Sequence, residues 1–275
     1  MKIHMAQHCG FCFGVKRAIQ IAKETVNSYE NVYIKGNLVH NETVCKEMAG
    51  KGIKRINSIT DIPINTTLII KAHGEPSKTY KQAEFKKLKI VDSTCPMVKD
   101  IHKKAKEIED KGYQVIIVGD RSHEETVGIL GNVKEGLVLE NKKDIRRLRG
   151  KIGKKVGIVC QSTQNINNVS EVIAELVKFA EEMLFINTIC QPTRLRQKEI
   201  EKLAHTCGAV IIVGSKNSAN TKRLYQVAKN INKHTFWIAS DKINKRKLSK
   251  YSSIGIIGGA STPPQALENI SNKLK

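Results

Sequence analysis

The chain has 275 residues, enough to bury a substantial core in one large domain or in two to three small ones. Its 47 Lys and Arg against 26 Asp and Glu give a formal charge of +21, which would attract nucleic acid, a phosphorylated substrate or an acidic partner without choosing among them. No run approaches the roughly 18 apolar residues of a membrane span, and Met1-Lys2-Ile3-His4-Met5-Ala6 leads into polar sequence rather than a signal-peptide core, so a cytoplasmic protein is expected and its seven cysteines point to metal binding or catalysis rather than disulfides.

In chain order, residues 1–12 form an N-terminal segment expected to pack against the rest of the chain. After Cys12 a helical pattern runs through Val15, Ala18, Ile19 and Ala22, then a short apolar strand at 32–34, a helix at 42–49 and a second strand at 68–70. This strand ends in the polar tip Ala72-His73-Gly74-Glu75. After Cys95 the helical positions are Val98, Ile101, Ala105 and Ile108; strands at 115–118 and 156–159 flank a helix at 124–130 and lead to Gln161-Ser162-Thr163-Gln164. After Cys190 come strands at 210–213 and 254–257, a helix at 220–229 and the tip Gly259-Ala260-Ser261-Thr262. Alternating strands and helices predict parallel α/β sheets, with ligands beyond the C-terminal strand ends, where all three tips fall.

The three stretches are versions of one another. Counting 20 residues on from Cys12, Cys95 and Cys190 reaches Val32, Val115 and Val210, each opening an apolar strand that runs to Gly36, Gly119 or Gly214. Four residues further stand His40, His123 and Ser218, and two beyond those Glu42, Glu125 and Asn220. A period of about 90 residues is too long for a solenoid and suits three copies of one small fold about a pseudo-threefold axis. The expected modules are 13–95, 96–190 and 191–275, with no flexible linker between them.

A cysteine just before a helix has its thiolate stabilised by the positive helix end, and three such thiolates meeting at one point would make a metal or cluster site. Three buried core cysteines are the plain alternative. Cys9 and Cys12 form a CxxC pair with no second pair to complete a zinc site, so Cys9 reads as incidental; Cys45, Cys160 and Cys207 fall where a small apolar side chain suffices. The second constellation is His40, His73 and His123, joined by Ser162, Thr163, Ser218, Asn220 and Ser261: donors at helix starts, as a phosphate or diphosphate needs. Glu125 is the acid embedded in this set, and a carboxyl beside bound phosphate would be raised in pKa and suited to giving a proton.

Eight segments in order resemble one family: Gly10-Phe11-Cys12-Phe13-Gly14-Val15-Lys16-Arg17-Ala18, His40-Asn41, Ala72-His73-Gly74, Asp92-Ser93-Thr94-Cys95-Pro96, His123-Glu124-Glu125, Cys190-x-x-Thr193-x-x-Arg196-Gln197, Gly214-Ser215-Lys216-Asn217-Ser218 and Gly259-Ala260-Ser261-Thr262-Pro263. Across nearly its whole length the chain is similar to the 4-hydroxy-3-methylbut-2-enyl diphosphate reductases. The resemblance implies an α/β trefoil of three modules around a [4Fe-4S] cluster held by Cys12, Cys95 and Cys190. It implies reductive dehydroxylation of an allylic diphosphate to isopentenyl and dimethylallyl diphosphate, the last step of the methylerythritol phosphate (non-mevalonate) route. His40, His73, His123, Ser218, Asn220 and Ser261 would hold the diphosphate, Thr163 would help place the substrate hydroxyl, and Glu125 would deliver protons. A reduced ferredoxin or flavodoxin would supply electrons, with neither nucleic acid nor membrane as partner. Two departures stand out: Ala219 where family members often carry a second serine, and the extra Cys9. The rival readings are a cluster dehydratase similar to quinolinate synthase and a basic nucleic-acid-binding module with a structural metal. Three histidines favour a diphosphate, and 5% aromatic residues give stacking little material.

Overall fold

The computed structural model describes residues 1–239 and 243–274. In chain order the elements are β1 (Lys2–Met5), α1 (Phe13–Ser28), β2 (Val32–Lys35), α2 (Glu42–Gly50), β3 (Lys54–Ile56), β4 (Thr67–Ile70), α3 (Ser77–Phe85) and β5 (Lys89–Asp92). Next come α4 (Pro96–Asp110), β6 (Gln114–Val118), α5 (Glu124–Leu130), β7 (Gly136–Leu139), α6 (Lys142–Leu148), β8 (Lys155–Cys160), α7 (Ile166–Leu176) and β9 (Glu182–Phe185). The last stretch holds α8 (Gln191–Thr206), β10 (Ala209–Val213), α9 (Ala219–Ile231), β11 (Thr235–Ile238), α10 (Lys245–Leu248), β12 (Ser253–Gly258) and α11 (Pro264–Leu274).

The strands form three sheets of four, ordered β3-β2-β4-β5, β7-β6-β8-β9 and β11-β10-β12-β1, and every pairing is parallel. The strands expected from sequence are the inner pair of each sheet. β4 (Thr-Leu-Ile-Ile) and β10 (Ala-Val-Ile-Ile-Val) are buried throughout, because an inner strand of a parallel sheet is covered on both faces and so reads as an unbroken apolar run. The outer strands escaped the sequence reading. β3 is Lys-Arg-Ile and β9 is Glu-Met-Leu-Phe, with charges and exposed positions that hide the pattern.

The N-terminal segment has a definite role here: β1 pairs with β12, Lys2 opposite Ser253 through Met5 opposite Ile256. β1 thereby takes the outer place beside β12 that β5 takes beside β4 and β9 takes beside β8. Each of these three strands runs directly toward one of the repeat cysteines: β1 to Cys12, β5 to Cys95 and β9 to Cys190. The internal repeat is thus a repeat of sheet position.

The chain folds as two compact units. The first gathers Met1–Lys16, His40–Thr43 and the chain from Cys190 onward; the second gathers Arg17–Val39 and Val44–Ile189. In the first, the sheet containing β10 and β12 is covered on both faces, by a core of Ile200, Leu203, Val210, Ile212, Leu224 and Ile257 and by another of Ile211, Val213, Ile254, Ile256, Leu267 and Ile270. In the second, Ile116, Val118, Val156 and Ile158 face one core and Val115, Ile117 and Val159 the other, while Leu68 and Ile70 pack with Ile59, Ile62 and Ala83.

Candidate active site

All three repeat cysteines open helices. The Cys12 N–H donates to Ala260 O (2.9 Å) and its carbonyl accepts the Lys16 N–H (3.0 Å), closing the first turn of α1. Cys95 is the N-cap of α4 with Pro96 at the first helical position, and its N–H donates to Ala72 O (3.0 Å). Cys190 is the N-cap of α8, again with proline in the first turn, and its Sγ lies 3.1 Å from Thr193 Oγ1. These three thiols are half-buried. Cys160 and Cys207 differ: both are buried in core clusters, and burial pushes the Cys160 thiol up to about 12 and raises that of Cys207. Cys45, on α2, donates to Val39 O (3.3 Å) in the segment before that helix. Cys9 donates to Ala6 O (3.1 Å) and packs against the core, and burial is the main reason its thiol is raised. No disulfide forms.

In the first unit, the neutral donors of the sequence-predicted set gather at the C-terminal ends of β10 and β12. Ser218 caps α9, accepting from the Thr221 N–H (3.3 Å). Asn220, in the first turn of that helix, is 3% exposed, and its Nδ2 is buried with no acceptor among the described residues. A buried amide donor without a partner costs about 1–3 kcal/mol, which a bound anion would recover. Ser261 Oγ donates to His40 O (3.0 Å), and Asn41 Nδ2 donates to Ser261 O (2.7 Å), so the His40 segment is stitched to the tip after β12. The departure Ala219 begins α9 with a buried methyl group.

The second unit holds His73, His123 and the acid of the set. His123 caps α5, its Nδ1 accepting the Glu125 N–H (3.2 Å), which leaves Nε2 as the protonated nitrogen of the neutral ring. The His73 ring stands edge-on to it, with centroids 5.6 Å apart. Gly74, beside His73, has φ +74°, and a Cβ there would lie 2.9 Å from the His102 ring; glycine is the residue that lets the histidine loop turn against α4. His102 itself is half-buried, and desolvation pushes it down to about 4, so it is neutral packing behind the loop.

Glu125 is 2% exposed. Its Oε1 accepts the Ser162 N–H (2.5 Å) and its Oε2 the Ser162 hydroxyl (2.8 Å). Burial raises its pKa, and the two Ser162 hydrogen bonds and the His73 charge oppose without overcoming it. The raised carboxyl expected from sequence is therefore present, but desolvation causes it, with no phosphate needed. Thr163 Oγ1 accepts from Gln161 Nε2 (2.9 Å), which fixes the tip that also carries Ser162.

The sequence reading named Glu125 as the acid of the set and missed its neighbour. Glu124 sits 3.2 Å from His73 Nδ1 and 2.8 Å from Lys71 Nζ, and Lys71 also pairs with Glu75 (2.8 Å), itself held by Lys35 (3.0 Å). Despite partial burial, His73 and Lys71 hold the Glu124 carboxyl well below the usual carboxylate range. The Lys71-x-x-x-Glu75 spacing around His73 was the available signal. Arg196, buried on α8, was quoted only as part of a motif.

Parallel α/β modules whose polar tips present histidines, hydroxyls and a buried acid, with a cysteine at each module's leading helix, define a multi-module α/β enzyme. The family model for the LytB protein matches residues 3–275, and the chain belongs to the LytB family. It is 37% identical over 273 residues to the 4-hydroxy-3-methylbut-2-enyl diphosphate reductase of Clostridioides difficile, covering 98% of both chains. It is 36% identical to that of Aquifex aeolicus, covering 99% of this chain and 96% of the relative. Among solved structures, the E-1-hydroxy-2-methyl-but-2-enyl-4-diphosphate reductase of Plasmodium falciparum superposes with a TM-score of 0.94 at 28% identity, over 99% of this chain and 87% of that one. A second structure, described as the terminal enzyme of the non-mevalonate pathway, gives 0.72 at 35% identity over 100% and 99%. Neither the dehydratase nor the nucleic-acid reading is favoured by these likenesses. No helix among the described residues is long and apolar enough to cross a membrane.

Proposed function

We propose that the chain reduces (E)-4-hydroxy-3-methylbut-2-enyl diphosphate to isopentenyl and dimethylallyl diphosphate. The balance is one allylic alcohol, two electrons and two protons giving either product and one water. The observation that carries the reading is the equivalent placement of Cys12, Cys95 and Cys190, each following the outer strand of a different sheet and opening a helix, in a chain of the LytB family. The donor set fits a cubane cluster: three half-buried thiols, each at a helix N-terminus. When bound by these residues, a [4Fe-4S] cluster with one iron lacking a cysteine supplies electrons singly and a Lewis-acidic iron for the substrate hydroxyl.

The protein's own groups bind and move protons. His40, His73, His123, Ser218, Asn220 and Ser261 take the diphosphate; the buried Asn220 Nδ2 supports this assignment. Thr163 orients the hydroxyl. Glu125, its pKa raised by burial and its two oxygens held by Ser162, gives the proton with which the hydroxyl leaves as water. The module division taken with this reading is 13–95, 96–190 and 191–275 after the segment 1–12.

Anaerobic purification tests the proposal. A brown protein with absorption near 400 nm, about four irons per chain and both isomeric products from the allylic diphosphate is expected; a colourless protein that leaves the substrate unchanged overturns it. The +21 charge suits a small acidic one-electron donor, a reduced ferredoxin or flavodoxin, in the cytoplasm. Turnover with such a donor is expected to fall as salt rises, and salt-insensitive turnover removes that partner.

A further inference from the structure

The first unit contains a buried cation that the proposed chemistry does not use. Arg196 is 4% exposed on α8. Its guanidinium donates through one Nη to Gly10 O (2.7 Å) and through the other to Pro192 O (3.3 Å). Gly10 lies two residues before Cys12, and Pro192 two residues after Cys190. One planar fork thus grips the backbone of both cysteine-bearing segments of this unit. Its Nε is buried with no acceptor among the described residues.

The next turn of the same helix completes the grip. Glu199 accepts the N–H groups of Gln7 (2.5 Å) and His8 (2.8 Å), so α8 holds the segment leading to Cys12 through a carboxylate and a guanidinium three residues apart. The charges differ in what they leave over. Glu199 uses its oxygens on backbone donors and on His8 at 3.3 Å, whereas Arg196 has two carbonyls, which satisfy donors without neutralising charge. Burial disfavours this guanidinium, and the groups opposing that burial are Cys12, Cys190, Cys9 and Glu199, three of the four being thiols. A permanent cation is costly to bury without an anion. Two cysteine thiolates and the anionic cofactor they would hold are the partners that offset this cost.

We propose that Arg196 is a positioning residue for the cluster: it fixes the Cys12 and Cys190 segments relative to each other and supplies a fixed positive charge that favours the reduced, more negative state of the cofactor. The inference rests on the cluster reading above. A cation in a low-dielectric site stabilises added negative charge, so its loss makes one-electron reduction harder. The fork also matters by itself, since lysine carries the charge but cannot span two carbonyls.

The experiment is a redox titration, followed by absorbance and electron paramagnetic resonance, of anaerobically prepared holoprotein as wild type, Arg196→Gln, Arg196→Lys and the exposed control Arg194→Gln, with iron release to a chelator measured on each. Arg196→Gln is expected to lower the equilibrium constant for one-electron reduction about tenfold, equivalent to about 59 mV. Arg196→Lys should stay within about twofold of wild type in that constant yet release iron several-fold faster, and Arg194→Gln should move neither quantity. A wild-type midpoint in Arg196→Gln overturns the electrostatic role. Where Arg196→Gln does not load, the lysine variant decides: wild-type iron release in Arg196→Lys overturns the clamp, and faster release at a preserved midpoint supports it. A wild type without iron defeats the cluster reading itself, a result distinct from either.

Discussion

The two units differ in the side chains of the candidate set that each holds. The first holds the hydroxyls of Ser218 and Ser261, the amide of Asn220 and the imidazole of His40, with Arg196 as a fixed cation. The second holds the imidazoles of His73 and His123 and the carboxyl groups of Glu124 and Glu125. The contrast is sharpest between the two adjacent carboxylates of α5. Glu124 faces Lys71 and His73 and is pushed down, while Glu125 points into a site whose donors come from Ser162 and is pushed up. Consecutive residues of a helix point about 100° apart, so one sequence doublet supplies one carboxyl held low in pKa and another pushed up. The doublet thus holds two carboxyl groups in opposed environments.

Mutations can break that contrast. The largest effect is expected where cofactor binding fails: Cys95→Ser should lose most of its iron and at least about a thousandfold in turnover, because a hydroxyl is a poor ligand for a cluster iron. Full iron content in this variant would remove Cys95 from the ligand set. Glu125→Gln comes next, with kcat expected to fall about 10²–10⁴-fold as proton donation is lost, while KM and iron content change little. Near wild-type kcat would discard the acid role. Asn220→Ala should show the opposite signature, a KM raised about tenfold or more from one lost hydrogen bond to a charged group at about 1.5–3 kcal/mol, with kcat nearly preserved. A kcat loss at constant KM would move Asn220 out of the binding set.

The smallest effect is thermodynamic and of opposite sign for the two acids. The Glu124 carboxyl is depressed in the folded chain, so its stabilisation is present above the unfolded value of about 4.3 and is lost as pH falls through the folded value. Glu124→Gln should therefore be less stable than wild type at pH 7 and converge with it in strong acid. The Glu125 carboxyl is raised, so its contribution is fully present below about 4.3 and declines as pH rises through the folded value. Glu125→Gln should gain on wild type as pH climbs. Parallel stability–pH curves from urea unfolding of the two variants would contradict the opposed environments.

What could be read in advance depends on burial. Inner strands such as β4 and β10 announce themselves because both faces are covered and nearly every residue is apolar. Helix starts announce the cysteines because proline and the apolar rhythm come after them, as at Cys95-Pro96. Outer strands such as β3 and β9 carry charges and escaped notice. So did the Lys71, Glu75 and Glu124 network, since residues 53 apart in the chain say nothing singly about pairing.

The sequence by itself determined the alternating α/β pattern, the three cysteines and the family, because these depend on local periodicity and on side-chain chemistry that each residue carries wherever it lies. Tertiary structure alone decided that β1 completes the sheet of β10 and β12, that Ser162 holds Glu125, and that Arg196 joins Gly10 to Pro192. Those outcomes depend on which distant backbone groups meet in a low-dielectric interior. There a carboxyl's proton affinity is set by burial and by its partners rather than by its position in the chain.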